Sequence, residues 1–116
     1  MNDIQILHNP RCSKSRQTLS LLTEKGIEPE VIQYLETPPT ASELKQILQK
    51  LGISARALLR KGEEAYKTLN LADPDLSEEA LIEAMVQHPK LIERPIVING
   101  DKARIGRPPE SVLDIV

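Results

Sequence analysis

The first third of the chain alternates short apolar runs with polar turns. Ile4–Leu7 predicts a strand, and residues 31–34 predict a second one. Between them, residues 15–25 carry leucines at helical spacing and end at Gly26, a typical helix C-terminus. A strand, a helix and a strand in this order predict two parallel strands joined by a right-handed crossover.

The middle of the chain has the apolar periodicity of helices. Thr40 followed by Glu43 is a capping-box pattern, which predicts that a helix begins there. Ser77, with acidic residues directly after it, predicts a further helix start, and the proline after His88 ends that helix. We therefore expect a helical segment from about residue 40 to about residue 89.

The last part of the chain combines a hairpin signal with a helix start. Residues 95–98 and 102–105 are two short strand-like runs joined by an Asn-Gly turn, so they predict an antiparallel hairpin. Pro108 and Pro109 then suit the beginning of a final helix.

The order of these elements predicts a thioredoxin-like α/β fold, in which a βαβ unit and a ββα unit share a mixed four-stranded sheet. We expect residues 1–116 to form a single domain with the helical segment inserted between the halves. In such a fold a cis proline begins the third strand and faces a thiol at the first strand-to-helix turn, and Pro95 stands at that position.

Composition excludes several classes of protein. The chain has no Trp or Phe and a formal net charge of −2, which argues against binding nucleic acid. Because no apolar run has the length of a membrane span and no signal pattern begins the chain, we expect a cytoplasmic protein without a membrane partner. One cysteine and two distant histidines predict no internal disulfide and no metal site. We also expect a monomer with no bound cofactor.

The single cysteine, Cys12, lies at the turn between the first strand and the first helix. Unpaired amides and the macrodipole at a helix N-terminus stabilise a thiolate or a bound oxyanion. Arg11, Lys14 and Arg16 add positive charge, and His8 would add a donor or a cation if it folded back toward the sulfur. A lone intracellular cysteine is usually a small buried hydrophobe, but such a residue needs neither a cationic loop nor a helix start. The local sequence therefore favours a nucleophile.

Five short segments, spread in order along nearly the whole chain, have a recognisable pattern. They are residues 8–16 (HNPRCSKSR), 34–36 (YLE), 56–60 (RALLR), 88–97 (HPKLIERPIV) and 107–109 (RPP). Taken together, these segments resemble the glutaredoxin-coupled arsenate reductases.

The resemblance implies a role for six residues. Cys12 would be the nucleophile that attacks arsenate, and His8 and Ser15 would tune or orient its thiolate. The residues that would gather around the oxyanion are Arg60, Arg94 and Arg107. Guanidinium groups suit this role because their paired donors match a tetrahedral oxyanion. Without the resemblance, each arginine would be interpreted as a solvated surface side chain.

The resemblance also implies the co-substrates of the reaction. Glutathione would attack the arsenic-cysteine adduct, and glutaredoxin would remove the glutathione as arsenic passes from the pentavalent to the trivalent state. This agrees with the cysteine count, because a chain with one thiol must take its other electrons from outside.

Two other functions stay open at this point. The first is a regulator of the same superfamily that binds the RNA polymerase α-subunit and switches through a Cys-x-x-Cys pair. In this chain the fourth position of that motif is Ser15, so the dithiol switch cannot form. The second is a glutathione-dependent thiol oxidoreductase, which would turn over a mixed disulfide without any oxyanion.

Overall fold

Four strands form one mixed sheet in the computed structural model, which describes residues 4–116. Within these residues the strands are β1 (Ile4–Leu7), β2 (Glu30–Ile32), β3 (Ile96–Asn99) and β4 (Lys102–Ile105), in the order β2-β1-β3-β4. β1 is parallel to β2 and antiparallel to β3, and β3 is antiparallel to β4. The predicted thioredoxin-like fold, with its mixed four-stranded sheet, is confirmed.

Helices occupy most of the remaining chain. The α-helices are α1 (Ser13–Glu24), α2 (Ala41–Leu51), α3 (Ala55–Leu58), α4 (Glu64–Thr68) and α5 (Glu78–Gln87), and 3₁₀ segments span Pro89–Leu91 and Pro109–Ile115. Thr40 caps α2 with the predicted reciprocal bonds to Glu43, and Ser77 caps α5. None of the helices in residues 4–116 is long and apolar enough to cross a membrane.

Three local predictions differ from the structure. The second strand ends at Ile32 rather than at residue 34, because the carbonyl of Gln33 accepts hydrogen bonds from the amides of Glu36 and Thr37 and turns the chain. The short helix α4 was not predicted, since it buries no residue and so has no apolar stripe. The final helix is of the tighter 3₁₀ type.

The chain divides into two compact units. One consists of the residues through Thr37 together with Arg94–Val116, and the other is Pro38–Glu93. The second unit contains α2 to α5 and extends slightly beyond the predicted bounds of the insertion, about 40 and about 89.

The first unit has its own apolar core. Buried side chains from β1, α1, β3 and the C-terminal 3₁₀ segment pack together, and they include Ile6, Leu22, Val97 and Val112. Each of these side chains contributes roughly 1.5–3 kcal/mol when fully buried. This packing holds the end of β1 and the start of α1 in place, and the single cysteine lies between them.

Candidate active site

Cys12 is the residue that immediately precedes α1. It has extended backbone angles (φ −94°, ψ 124°), as expected of an N-cap residue, and its side chain makes no capping hydrogen bond. Its amide donates to the carbonyl of Asn9 at 3.0 Å, and its own carbonyl accepts from the amide of Arg16 at 3.0 Å. The predicted placement of the thiol at a strand-to-helix turn is therefore confirmed.

Asn9 organises the turn before the helix. Its Oδ1 accepts a hydrogen bond from the amide of Arg11 at 3.0 Å, and its own amide donates to Oγ of Ser15 at 3.0 Å. Asn9 is not among the residues that the sequence predicts for the site. The available signal was an asparagine two residues before Arg11, which is typical of an Asx turn.

His8 and Ser15 form a buried pair beneath this turn. The Nδ1 atom of His8 lies 2.6 Å from Oγ of Ser15, and both residues are buried. Burial lowers the pKa of His8 below the ordinary histidine value of 6.5, and the nearby positive charge of Arg16 lowers it further. The ring is therefore neutral at neutral pH. The sequence left His8 as either a donor or a cation at the sulfur; the lowered pKa disfavours the cation, and the Nδ1 atom contacts Ser15.

The cation at the sulfur is Arg107. Its NH2 atom donates to Sγ of Cys12 across 3.7 Å, and its Nε donates to the carbonyl oxygen of Arg94 at 2.8 Å. These two bonds orient the guanidinium group over the start of α1. Cys12, only 9% of whose surface is exposed, thus has a positive charge beside its sulfur. This contact argues against interpreting it as a simple buried hydrophobe.

The register of the sheet explains how residues so distant in sequence meet. Leu7 at the end of β1 pairs with Ile96 at the start of β3, and Ile96 pairs with Ile105 at the end of β4. The residues just beyond these pairs therefore lie along one edge of the sheet. They are His8, Pro95 and Gly106. The turn that carries Cys12 follows His8, and Arg107 follows Gly106.

Arg94 lies two residues before β3, and its backbone carbonyl accepts the bond from Arg107. The Nε and NH1 atoms of Arg94 are buried, which does not fit a solvated surface arginine. The Arg94–Pro95 peptide bond is cis, as the fold predicts, and the Arg107–Pro108 bond is also cis.

Arg60 belongs to the second unit. Its NH1 atom donates to Oε2 of Glu63 at 3.0 Å, its Nε lies 3.7 Å from Oε1 of Glu93, and its amide donates to the carbonyl of Leu91. A role for Arg60 at the oxyanion stays a prediction.

Within residues 4–116 no group of three or more metal-ligating side chains could hold a metal ion.

Comparison with known proteins decides the family. The model of the ArsC family matches residues 7–115. The chain belongs to the ArsC family. Among its relatives, the uncharacterized protein YfgD of Escherichia coli K12 is 65% identical over 114 residues, which are 97% of this chain and 96% of that protein. The arsenate reductase of Haemophilus influenzae is 55% identical over 96% of this chain and 97% of its own length.

A solved ArsC-family structure has the same fold. The arsenate reductase from Vibrio cholerae superimposes with a TM-score of 0.96 at 58% identity, covering 97% of each chain. Such close agreement confirms that this chain has the fold of the ArsC arsenate reductases.

The His8 environment generates a testable pH dependence. The ring of His8 should titrate below pH 6.5 in the folded protein, because burial and Arg16 disfavour its charged form. The unfolded chain then binds a proton at His8 more tightly than the folded protein does. Above about pH 6.5 His8 is neutral in both states, so its protonation does not change the unfolding free energy. The fold loses stability as the pH falls from there through the folded pKa.

Proton NMR titration of the two histidine rings measures this directly, and His88→Gln identifies the signal of His8. A folded-state pKa of His8 at or above 6.5 would contradict the interpretation.

Proposed function

We propose that the protein reduces arsenate to arsenite, with Cys12 as the nucleophile. The observation that carries the proposal is the position of Cys12 before α1 with the Arg107 guanidinium 3.7 Å from its sulfur. A helix N-terminus and a guanidinium group both attract the arsenate dianion to the sulfur that attacks it. Membership of the ArsC family, and relatives named arsenate reductases, support this choice of substrate.

The arginines bind the oxyanion. Arg107 reaches the sulfur directly, and Arg94, whose backbone carbonyl orients Arg107, brings a second guanidinium group with buried nitrogens. A doubly charged tetrahedral anion needs more than one cation, and guanidinium forks offer paired donors to it. Arg60, whose guanidinium group contacts Glu63 and Glu93 in the structure, is the third arginine of the proposed set.

His8 and Ser15 orient the thiolate by shaping the turn that carries it. Oγ of Ser15 contacts both the neutral ring of His8 and the amide of Asn9, so it ties the end of β1 to the first turn of α1. Neither side chain needs to exchange a proton with substrate for this role. Both are positioning residues, and Cys12 is the catalytic residue.

The proposed reaction begins with substitution at arsenic. The thiolate of Cys12 forms a sulfur–arsenic bond, and one arsenate oxygen leaves as water after protonation. Arsenic is still pentavalent in this adduct. The thiolate of glutathione displaces a second oxygen as water and forms its own sulfur–arsenic bond. A second external thiolate attacks the glutathione sulfur, which breaks that bond, leaves its electron pair on arsenic and joins the two external thiols as a disulfide. Water then cleaves the bond between Cys12 and the trivalent arsenic, which releases arsenite and returns Cys12 to the thiol state.

The external thiols are glutathione and a glutaredoxin. The resemblance to the glutaredoxin-coupled arsenate reductases implies these two thiols, and the cysteine count agrees with it, because Cys12 has no second thiol in the chain to resolve its adduct. Such a cycle requires a compartment that keeps thiols reduced, which is why we also propose that the protein acts in the cytoplasm.

The central test of this function is Cys12→Ser. The variant should fold normally yet lose arsenate-dependent NADPH oxidation in the presence of glutathione, glutaredoxin and glutathione reductase, because a hydroxyl is far less nucleophilic than a thiolate. The assay compares the variant with the unmodified protein, each with and without arsenate. Arsenate turnover that survives in Cys12→Ser would refute the mechanism.

The geometry of oxyanion binding is tested by Arg94→Lys. Keeping the charge while removing the planar fork should lower kcat/KM for arsenate by roughly tenfold or more. Arg104→Lys is the matched control, because Arg104 is an exposed arginine of β4 in the same unit. Equal kinetics for the two variants would remove Arg94 from the binding site.

A further inference from the structure

Gly106, directly after β4, occupies a position with no room for a side chain. A Cβ atom there would lie 2.5 Å from Oγ1 of Thr18 and 2.8 Å from Cγ of Pro95. The second carbon of the Thr18 side chain, Cγ2, would be 3.2 Å away. Real Cβ atoms essentially never approach other heavy atoms to less than 3.0 Å, so any larger residue must displace its surroundings.

The neighbours of Gly106 cannot easily move aside. Thr18 is fully buried in α1, and its hydroxyl donates to the carbonyl of Lys14 at 2.8 Å. Pro95 has a closed ring, and its carbonyl accepts a hydrogen bond from the amide of Gly106 at 2.9 Å. Neither group is the free end of a flexible side chain, so the strain would fall on the backbone at Gly106.

The backbone at Gly106 leads directly to the cation of the site. The amide of Arg107 donates to the carbonyl of Ile105 at 2.9 Å, which makes Gly106 the central residue of a tight three-residue turn. The side chain of Arg107 then extends to the sulfur of Cys12 and the carbonyl of Arg94. A shift of the turn therefore changes the distance between guanidinium and sulfur.

We infer that Gly106 is a positioning residue, whose missing side chain lets the end of β4 pack against Thr18 and Pro95 and so places Arg107 at Cys12. The packing of Gly106 against Thr18 and Pro95 is independent of the substrate. The effect of this packing on arsenate turnover rests on the proposed function. Gly106→Ala should weaken the electrostatic effect of Arg107 on the sulfur without removing any charged or reactive group.

The first measurement is alkylation of Cys12, which is the only cysteine in the chain. The rate ratio of anionic iodoacetate to neutral iodoacetamide reports the positive charge beside the sulfur and requires no arsenate. Arg107→Ala sets the ratio expected without that charge. Gly106→Ala should lower the ratio by about threefold, toward the Arg107→Ala value. A threefold change is the effect expected from a partly exposed ion pair.

Two further variants separate positioning from general destabilisation. Gly52 has a φ of +72° and open space around it, so Gly52→Ala strains the end of α2 and should leave the alkylation ratio unchanged. Thr18→Ala removes the two atoms of α1 that the added Cβ would meet, while Pro95 remains, so the double variant Thr18→Ala/Gly106→Ala should recover part of the lost ratio. In the arsenate assay, Gly106→Ala should raise KM more than it lowers kcat.

An unchanged alkylation ratio in folded Gly106→Ala, or a ratio that the double variant does not raise, would overturn the inference. If Gly106→Ala does not fold, the double variant carries the test. A folded double variant with a ratio well above the Arg107→Ala value supports the inference, and one at the Arg107→Ala value overturns it. A protein that shows these alkylation effects but reduces no arsenate would contradict the proposed function and leave the positioning role of Gly106 intact.

Discussion

The structure of the site depends on the position of one thiol on the N-cap residue directly before a helix. Cys12 can be held there because the turn before α1 satisfies its own polar groups. Oδ1 of Asn9 accepts from the amide of Arg11, its carbonyl accepts from the amide of Cys12, and its own amide donates to Ser15, which also contacts His8. The amides at a helix N-terminus favour an anion that approaches it.

The positive charge that completes the site comes from the other end of the chain. Pairing of β1 with β3 and of β3 with β4 aligns Leu7, Ile96 and Ile105 across the sheet. The segment after β4 brings Arg107 to Cys12, although the two residues are 95 positions apart in sequence, and the carbonyl of Arg94 holds Arg107 there. A guanidinium group beside a thiol is useful for attacking an anion, because the same charge favours the nucleophile and its substrate.

Local signals predicted much of this architecture. The run Ile4–Leu7 and the Asn-Gly turn between β3 and β4 identified strands whose pairing sets the register, and Gly26 ended α1 with the expected positive φ of 78°. The second strand was predicted two residues too long, because a turn at Gln33 depends on backbone hydrogen bonds that residue type does not encode strongly.

Local sequence patterns did not predict the contacts between distant segments. The charge state of His8 follows from burial, and the bond from Arg107 to the sulfur follows from sheet register, so neither can be deduced from the neighbouring residues. The arginines were found through a family resemblance rather than through spacing. Gly106 gave no signal at all, because its importance comes from Thr18 and Pro95, which approach it only in the folded protein.

The most direct test of the account is the mass of the intact protein after a single turnover. The protein is incubated with arsenate and glutathione in the absence of glutaredoxin, quenched in acid and analysed by mass spectrometry. The account predicts a population carrying arsenic and glutathione on Cys12, which disappears when glutaredoxin is added and never forms in Cys12→Ser. Arsenite production without any such adduct, or an adduct attached to another residue, would contradict it.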